Sequence, residues 1–442
     1  MRVLCVVSFG ILTVTFSLLH NEVWSNQNNV SASSLATQFE TYSVVLARIE
    51  QDLNLKKSLA AKRPDSWLHQ EWLAMAYMAR GKLTGNFEDY AAAQKSMKNA
   101  FSVASVGSGP VKARAKLNYS LHRIPAIEAD LQRVEEAILI DIPTKAWVKG
   151  MRADVDLDNA RFADAKSAYL ELEGSDPTTS SAARLAKFFA KTGDYPEAQI
   201  WLERAEQRVV GRSSHLQSWL QLQQGILDLD RGRWNDAMAH YKKALSIFPG
   251  FWLVEEHIAE IDALQGRSKV AEKSYRELIQ RTDSPVLMVA LANVLGEQDD
   301  HSAQAESLVW LKQAESHFEA MLAEIPEALA GHALDYFLQS GDQHRALQLA
   351  TDNYRLRPGG RPAVLLAQAY VLTGQLSKAL VQIETVLSSP YRSADLHATA
   401  HAAFYATGQY QRAQNQAALA RELNPHSVKS MEWLAESQAP EG

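Results

Sequence analysis

Two histidines spaced four residues apart, His397 and His401, are the first candidates for chemistry in this chain. On a helix this spacing places both imidazoles on one face, where they could hold a metal ion. A zinc site takes three or four ligands, and neither a cysteine nor the glutamate of an H-E-x-x-H motif accompanies the pair. We therefore expect two hydrogen-bonded interior histidines, with no bound metal and no cofactor.

Three aspartates, Asp156, Asp228 and Asp262, recur at similar places in the sequence pattern and could act as paired catalytic carboxylates. They fall on different predicted helices, so inter-helix spacing keeps them about 10 Å or more apart. The alternative is that each carboxylate bonds to turn backbone or to an arginine such as Arg231 or Arg267. The sequence also lacks a glycine-rich phosphate loop and a G-x-S-x-G motif. We predict no catalytic residues and no enzyme activity.

The elements that carry these residues follow a repeat of about 34 residues, a period that is typical of stacked helical repeats. Six times a glycine is followed five residues later by an alanine. The pairs are Gly193/Ala198, Gly232/Ala237, Gly266/Ala271, Gly341/Ala346, Gly374/Ala379 and Gly408/Ala413. One helix pair cannot bury its own apolar face, so neighbouring pairs must stack into an elongated array.

One unit of the repeat shows how the sequence directs each helix pair. Ala237, Tyr241 and Ala244 are spaced to lie on one face of a helix. Gly232 precedes this helix where a turn needs a residue that adopts positive φ, and Pro249 ends it. The predicted unit is helix, tight turn, helix and stop.

These motifs resemble the tetratricopeptide repeat family. The residues that carry the resemblance are Leu73-Ala74, Tyr77 and Gly81; Leu185-Ala186, Phe189, Gly193, Tyr195 and Ala198; Leu366-Ala367, Tyr370, Gly374 and Ala379; and Phe404, Gly408, Tyr410 and Ala413. The resemblance implies an all-α fold, a right-handed superhelical solenoid of about ten helix pairs with a C-terminal capping helix. It covers roughly residues 64–425.

The N-terminus differs from the repeats. An uncharged apolar run from residue 3 to residue 19 follows Arg2. A charged start, an apolar middle and small residues at the exit are typical of a secretory signal peptide, here with cleavage before Asn26. The alternative is a membrane anchor, because a bilayer span needs roughly 20 apolar residues. Either case exports the repeats, to the periplasm or to the inner membrane.

The predicted organisation has four parts. They are a signal peptide or membrane anchor (1–25), an N-terminal linker and capping helix (26–62), the repeat array (63–425), and a capping helix with a frayed tail (426–442). The net charge is −6 and no basic stripe occurs, which disfavours nucleic acid as a partner. The only cysteine is Cys5, so a mature chain without the first 25 residues forms no disulfide.

The resemblance also implies that the first helix of each pair lines a concave groove. It places in this groove Leu68, Met75, Met78, Trp147, Asp154, Lys187, Trp219, Leu222, Ile226, Asp335, Arg361 and Tyr405, with Lys191, Glu260 and Gln368 in the same rows. Trp147 and Trp219 are the expected anchors for a partner, since aromatic residues dominate binding energy. The alternative is that Trp219 and Leu222 pack against a neighbouring helix.

Two functions follow as hypotheses. The first is a non-enzymatic exported scaffold for protein–protein interaction, which binds a peptide or protein segment in the groove. The alternative is a membrane-anchored assembly factor of an envelope complex, positioned through residues 3–19.

Overall fold

The computed structural model describes residues 40–136, 140–211, 213–340, 342–430 and 434. Within these ranges the chain is helical and contains no strand, which confirms the predicted all-α class. The predicted signal peptide or anchor at residues 1–25 lies outside the described residues. None of the described helices combines the length and the apolar character that crossing a bilayer requires.

A single helix is followed by ten antiparallel helix pairs and a short final helix in the described part of the chain. The helices are α1 Tyr42–Lys62, α2 Trp67–Thr84, α3 Phe87–Val103, α4 Val111–Ser120, α5 Ile124–Glu135, α6 Ile142–Asp158, α7 Phe162–Ser175, α8 Thr179–Lys191, α9 Tyr195–Gln207, α10 Ser214–Leu229, α11 Trp234–Ile247, α12 Trp252–Leu264, α13 Ser268–Thr282, α14 Pro285–Gly296, α15 His301–Glu324, α16 Pro326–Ser340, α17 Gln343–Leu356, α18 Arg361–Leu372, α19 Leu376–Ser388, α20 Ala394–Ala406, α21 Tyr410–Leu423 and α22 Ser427–Ser430.

In the pairs that carry the repeated glycine, the turn between the two helices uses it as predicted. Five of the six turn glycines are described, and their φ angles lie between 68° and 77°. In two earlier pairs His122 and Ala160 occupy this turn with φ angles of 59° and 62°. A side chain is strained at such angles, so these two turns lack the conformational ease that glycine gives the others.

The predicted packing face of the repeat unit is buried. Ala237, Tyr241 and Ala244 on α11 are each 0% exposed and contribute to the main hydrophobic core. On the facing helix α10, Gly225 leaves the space that the Tyr241 ring fills, because a Cβ there would lie 2.2 Å from Tyr241 Cε1. A small residue at this crossing allows the two helices to approach closely.

We therefore expect Gly225→Ala to destabilise the chain by about 1–3 kcal/mol, since the added methyl group overpacks this contact. Gly174→Ala on α7 is the matched control. A Cβ at Gly174 meets no atom within 4 Å, and a helical alanine is favoured over glycine by roughly 1 kcal/mol. Denaturant unfolding of both variants measures the difference, and equal stability of the two would show that the packing at Tyr241 is described wrongly.

Both ends of the array are covered by additional helical segments. Helix α1 packs on α2, and the backbone N–H of Tyr42 donates to the carbonyl oxygen of Pro249 at 3.1 Å. At the other end α22 packs on α20 and α21, and Leu434 is 0% exposed. The two segments limit the apolar surface that the terminal repeats expose.

Repeats that are distant in the sequence touch each other, so the array coils back on itself. The backbone N–H of Gly359 donates to the carbonyl oxygen of Asp158 at 3.1 Å, and that of Arg392 donates to the carbonyl oxygen of Lys191 at 3.0 Å. The Asn424 side-chain amide donates to the Asp230 carbonyl oxygen at 3.1 Å. These hydrogen bonds join successive turns of the coil and enclose the first helices of the pairs.

Two further contacts extend this seam towards the N-terminal repeats. Trp252 Nε1 donates to the carbonyl oxygen of Leu83 at 2.9 Å, and Arg123 forms a 3.0 Å ion pair with Glu327. The groove that the sequence predicts as open is therefore enclosed along much of its length.

Candidate functional site

The candidate site is the inner surface of the coil, formed by the inward faces of α6, α8, α10, α12, α16, α18 and α20. Its side chains are mostly buried because the coil closes around them. Asp154, Lys187, Trp219, Leu222, Ile226, Asp335 and Gln368 are all less than 9% exposed. The residues that the repeat pattern predicts to face inward do lie together, but they do not line an open groove.

Trp219, Leu222, Ile226 and Met78 belong to the hydrophobic core, which corrects the prediction that they face an open groove. Trp219 and Leu222 are 0% exposed and pack in the main core cluster, as the alternative interpretation expects. The reason for Trp219 and Ile226 is that the neighbouring helices α8 and α9 cover this side of α10. These four side chains offer no accessible face in this conformation.

The remaining apolar candidates are distributed between the interior and the two ends. Met75 is partly buried against the main core, and Trp147 is partly buried against a second cluster that includes Val148. Leu68 and Tyr405 remain exposed, at 38% and 53%, near opposite ends of the array. An aromatic partner contact is therefore available at Tyr405 and not at Trp219.

Asp154 sits at the centre of a buried polar network. Its carboxylate accepts hydrogen bonds from Arg184 Nε at 3.1 Å and from the Tyr169 hydroxyl at 2.8 Å. Asp154 and Tyr169 are 0% exposed, and Arg184 is 6% exposed. The paired and hydrogen-bonded charges hold α6, α7 and α8 together, which gives Asp154 a structural role.

A basic cluster lies where the second to fourth pairs face the eighth and ninth pairs. We define it as Lys187, Lys191, Arg357, His122 and His332. His122, Lys187 and Arg357 are 6–8% exposed. Arg357 donates to Asn353 Oδ1 at 2.7 Å, but its buried Nε has no hydrogen-bond partner among the described residues. The cluster favours an anionic group of a ligand.

Burial and mutual repulsion lower the pKa values of Lys191 and His332 in this cluster. Burial, together with Lys187, Arg357 and Arg361, lowers the pKa of Lys191 to about 8, and Asp158 opposes that shift. Burial, followed by Arg361 and Arg357, lowers the pKa of His332 to about 4. Both effects are expected where like charges are held together out of water.

The lowered pKa of His332 predicts that the folded chain loses stability in acid. His332 stays neutral in the folded chain down to about pH 4, whereas an unfolded histidine takes up a proton below about pH 6.5. The stability from neutral His332 is complete above pH 6.5 and is lost as the pH falls towards 4, by about 2 kcal/mol at pH 5. Denaturant unfolding at pH 8 and pH 5 should show a smaller loss in His332→Phe than in the wild type. An identical loss would contradict the assigned environment.

An acidic cluster lies further along the inner surface. We define it as Glu256, Glu260, Asp230 and Asp395 together with His257. Burial, followed by Asp395 and Glu260, raises the pKa of Asp230 to about 7. Burial would lower the pKa of His257, but Glu256 and Glu260 outweigh it and raise that pKa to about 9. His257 is therefore the internal counter-charge of this cluster.

One ion pair connects the two clusters. Arg361 donates to Asp335 Oδ1 at 2.8 Å, and both lie between the basic and the acidic groups. A cavity of about 30 Å³ near Lys187 and Asp230 is lined also by Trp219. This volume holds a water molecule, whereas ligand pockets measure several hundred Å³. A side chain of a partner enters this part of the inner surface only if the coil opens.

The histidine pair behaves as an interior pair with hydrogen bonds. His397 Nδ1 lies 2.6 Å from Gln416 Oε1, and His401 Nδ1 lies 3.0 Å from the carbonyl oxygen of Ala413. The second contact joins α20 to α21. Each ring thus has a structural partner.

The three repeated aspartates each pair with the arginine five residues later. The contacts are Arg161–Asp156 at 2.7 Å, Arg233–Asp228 at 3.4 Å and Arg267–Asp262 at 2.5 Å. Each arginine N–H also donates to the carbonyl oxygen of the same aspartate across the turn. The predicted arginine pairing is confirmed at Arg267, and Arg231 is a more distant second partner of Asp228, at 3.7 Å.

Sequence reasoning missed several residues of the two clusters. Arg357, His122 and His332 are brought inward by contacts between turns of the coil, which a single repeat does not encode. The sequence could have identified Glu256, because it lies one repeat of 34 residues after the inward-facing Leu222. A charged residue at a repeat position that is otherwise apolar is the signal for it.

Ten stacked helix pairs define the described part of the chain as an all-α solenoid of helical repeats. Residues 178–249, which contain α8 to α11, match the family described as tetratricopeptide repeat. The match covers two of the ten helix pairs, α8/α9 and α10/α11. No curated protein matches the chain.

Several solved structures are similar to the chain at low identity. A tetratricopeptide repeat protein from Parabacteroides merdae is 18% identical, with a TM-score of 0.34, and the match covers 59% of this chain and 98% of that one. A human IFIT1 dimer with m7Gppp-AAAA is 13% identical, with a TM-score of 0.41 and coverage of 90% and 95%. A Rap protein complexed with competence and sporulation factor is 13% identical, with a TM-score of 0.40 and coverage of 74% and 99%.

Proposed function

We propose that this protein is an exported, non-enzymatic scaffold that binds a peptide or protein segment on its inner surface. The tetratricopeptide fold supports a role in protein–protein interaction, because stacked helix pairs present long concave surfaces to partners. The apolar run at residues 3–19 supports export, and mass spectrometry of the mature N-terminus from the native host tests that part.

The observation that carries the proposal is buried charge in rows that stacking alone would fill with apolar residues. Leu222 and Ile226 occupy two such rows on α10, and Glu256 and Glu260 occupy the same rows one repeat later. Glu256 Oε2, Glu260 Oε1 and Arg357 Nε are buried without a hydrogen-bond partner among the described residues. Burying such atoms costs about 1–3 kcal/mol each, so their placement favours a binding role.

The charge pattern defines what a partner segment should carry. Carboxylates suit the basic cluster at Lys187, Lys191 and Arg357, and cationic side chains suit the acidic cluster. Access requires successive turns of the coil to separate. The contacts between turns include hydrogen bonds such as Gly359–Asp158 and Arg392–Lys191, and these must break for the turns to separate.

Site-specific photocrosslinking tests the location of binding. Tyr405 is 53% exposed on an inner helix, so p-benzoylphenylalanine replaces it with little strain. Val381, which is 69% exposed on the outer helix α19, is the matched control. We expect a protein adduct from position 405 in envelope fractions and little from position 381. Equal adducts from the two positions would contradict binding on the inner surface.

A further inference from the structure

Three neighbouring residues of α12 form a compact set of metal-ligand atoms. Glu256, His257 and Glu260 each offer one such atom, and these atoms lie within 4.8 Å of one another. The three side chains are only 1–2% exposed. Glu256 and Glu260 are four residues apart, and His257 and Glu260 are three apart, so Glu260 lies on the same helix face as each of the other two.

The set is poorly satisfied by the protein around it. His257 Nδ1 lies 3.0 Å from Glu260 Oε2 and 3.5 Å from Glu256 Oε2. Glu256 Oε2, Glu260 Oε1 and His257 Nε2 are buried without a hydrogen-bond partner among the described residues. Buried polar atoms in native proteins nearly always have a partner, so these three atoms indicate a missing one.

A tyrosine provides a second, independent indication at the same place. The Tyr241 ring stacks on the His257 ring, with centroids 5.3 Å apart and planes inclined by 18°. Tyr241 is 0% exposed, and its hydroxyl also has no hydrogen-bond partner among the described residues. The carboxylate of Glu260 has the strongest electrostatic effect on this phenol, which places the hydroxyl near the cluster.

The set contains more acidic groups than basic ones. Glu256, Glu260 and the nearby Asp230 surround a single imidazole, His257. Arg361 also acts on Asp230, but it forms an ion pair with Asp335 at 2.8 Å. Several buried carboxylates without matching cations are costly unless a metal ion or protons neutralise them.

We propose that Glu256, His257 and Glu260 bind a divalent transition-metal ion of the Zn²⁺ class. Carboxylate oxygen and imidazole nitrogen are ligands that Zn²⁺ accepts at about 2.0–2.2 Å, whereas Mg²⁺ and Ca²⁺ prefer oxygen alone. Ligand atoms at tetrahedral angles around such an ion are about 3.4 Å apart, which a small side-chain adjustment of the present set achieves. The ion takes the place of the proton between His257 Nδ1 and Glu260, and that proton is released to solvent.

Metal titration of the full mature chain tests the proposal. After treatment with a chelator, calorimetric titration with Zn²⁺ should show one ion bound per chain, and the ion should raise Tm because it binds the folded state. Glu256→Gln and Glu260→Gln keep the side-chain shape, and each should lower the affinity at least tenfold. His317→Gln, which removes a histidine near Asp283 on the surface, is the control and should leave the affinity unchanged.

Wild-type affinity in both glutamine variants would overturn the site, as would the absence of any bound Zn²⁺, Co²⁺ or Mn²⁺. If the variants fail to fold, X-ray absorption of the wild-type Zn²⁺ form decides instead. One imidazole and two carboxylates around the ion support the site, and a shell without imidazole overturns it. The proposal assigns the acidic cluster to a metal ion in place of a cationic side chain of a partner, so its failure leaves the scaffold function, with that contact, standing.

Discussion

Replacing Trp219 with alanine is expected to lower the free energy of unfolding by about 3–5 kcal/mol. The side chain is 0% exposed and packs in the main core between α10 and its neighbours. Truncation removes the largest buried side chain of that helix and leaves a cavity that rigid helices cannot fill. Denaturant unfolding monitored by circular dichroism measures the loss.

The control for Trp219→Ala is Trp72→Ala on α2. Trp72 is 40% exposed, so its truncation should cost much less stability. Unchanged stability of Trp219→Ala would restore the sequence-based hypothesis of an accessible groove residue, because an exposed tryptophan contributes to binding rather than to folding.

Removing the carboxylate of Asp154 is the second change with a large expected effect. Asp154→Ala leaves the Arg184 guanidinium, only 7% exposed in its side chain, without its buried counter-ion. Breaking one half of a buried ion pair typically costs 3–5 kcal/mol, because the remaining charge is uncompensated. We expect a loss of about that size in the free energy of unfolding.

A double substitution distinguishes the cost of leaving one charge unpaired from the contribution of the Asp154–Arg184 ion pair itself. Tyr169→Phe is the reference background, since the phenol otherwise loses its own acceptor at Asp154. In that background Asp154→Leu combined with Arg184→Leu should cost less than Asp154→Ala alone, because no charge remains unpaired. A double variant that is less stable than the single one would show that the pair itself is not the source of the effect.

The architecture was predictable because it depends on the spacing of residues within each repeat. Glycine suits the positive φ of the turns, and small residues such as Ala237 and Ala413 allow a close helix crossing. Each repeat can therefore be recognised from its own sequence. Such features depend on neighbours in the chain and not on the global path.

The closure of the coil was not predictable from a single repeat. The hydrogen bonds from Gly359 to Asp158 and from Arg392 to Lys191 join residues about 200 positions apart. They depend on the small rotation that each repeat adds, summed over several repeats. The same summation brings Arg357 near Lys191, so the repeat register identified the inward-facing rows but not how far the coil encloses them.

The central claim is that the partner binds on the inner surface. The most direct test measures the photocrosslinked adduct from position 405 in a chain that also carries a charge reversal. Lys191→Glu changes the basic cluster without touching the apolar core. We predict that this substitution reduces the adduct about tenfold, the effect of roughly 1.4 kcal/mol in binding free energy. Helical content and Tm should stay close to the wild-type values. An undiminished adduct from folded Lys191→Glu protein would contradict a partner on the charged inner surface.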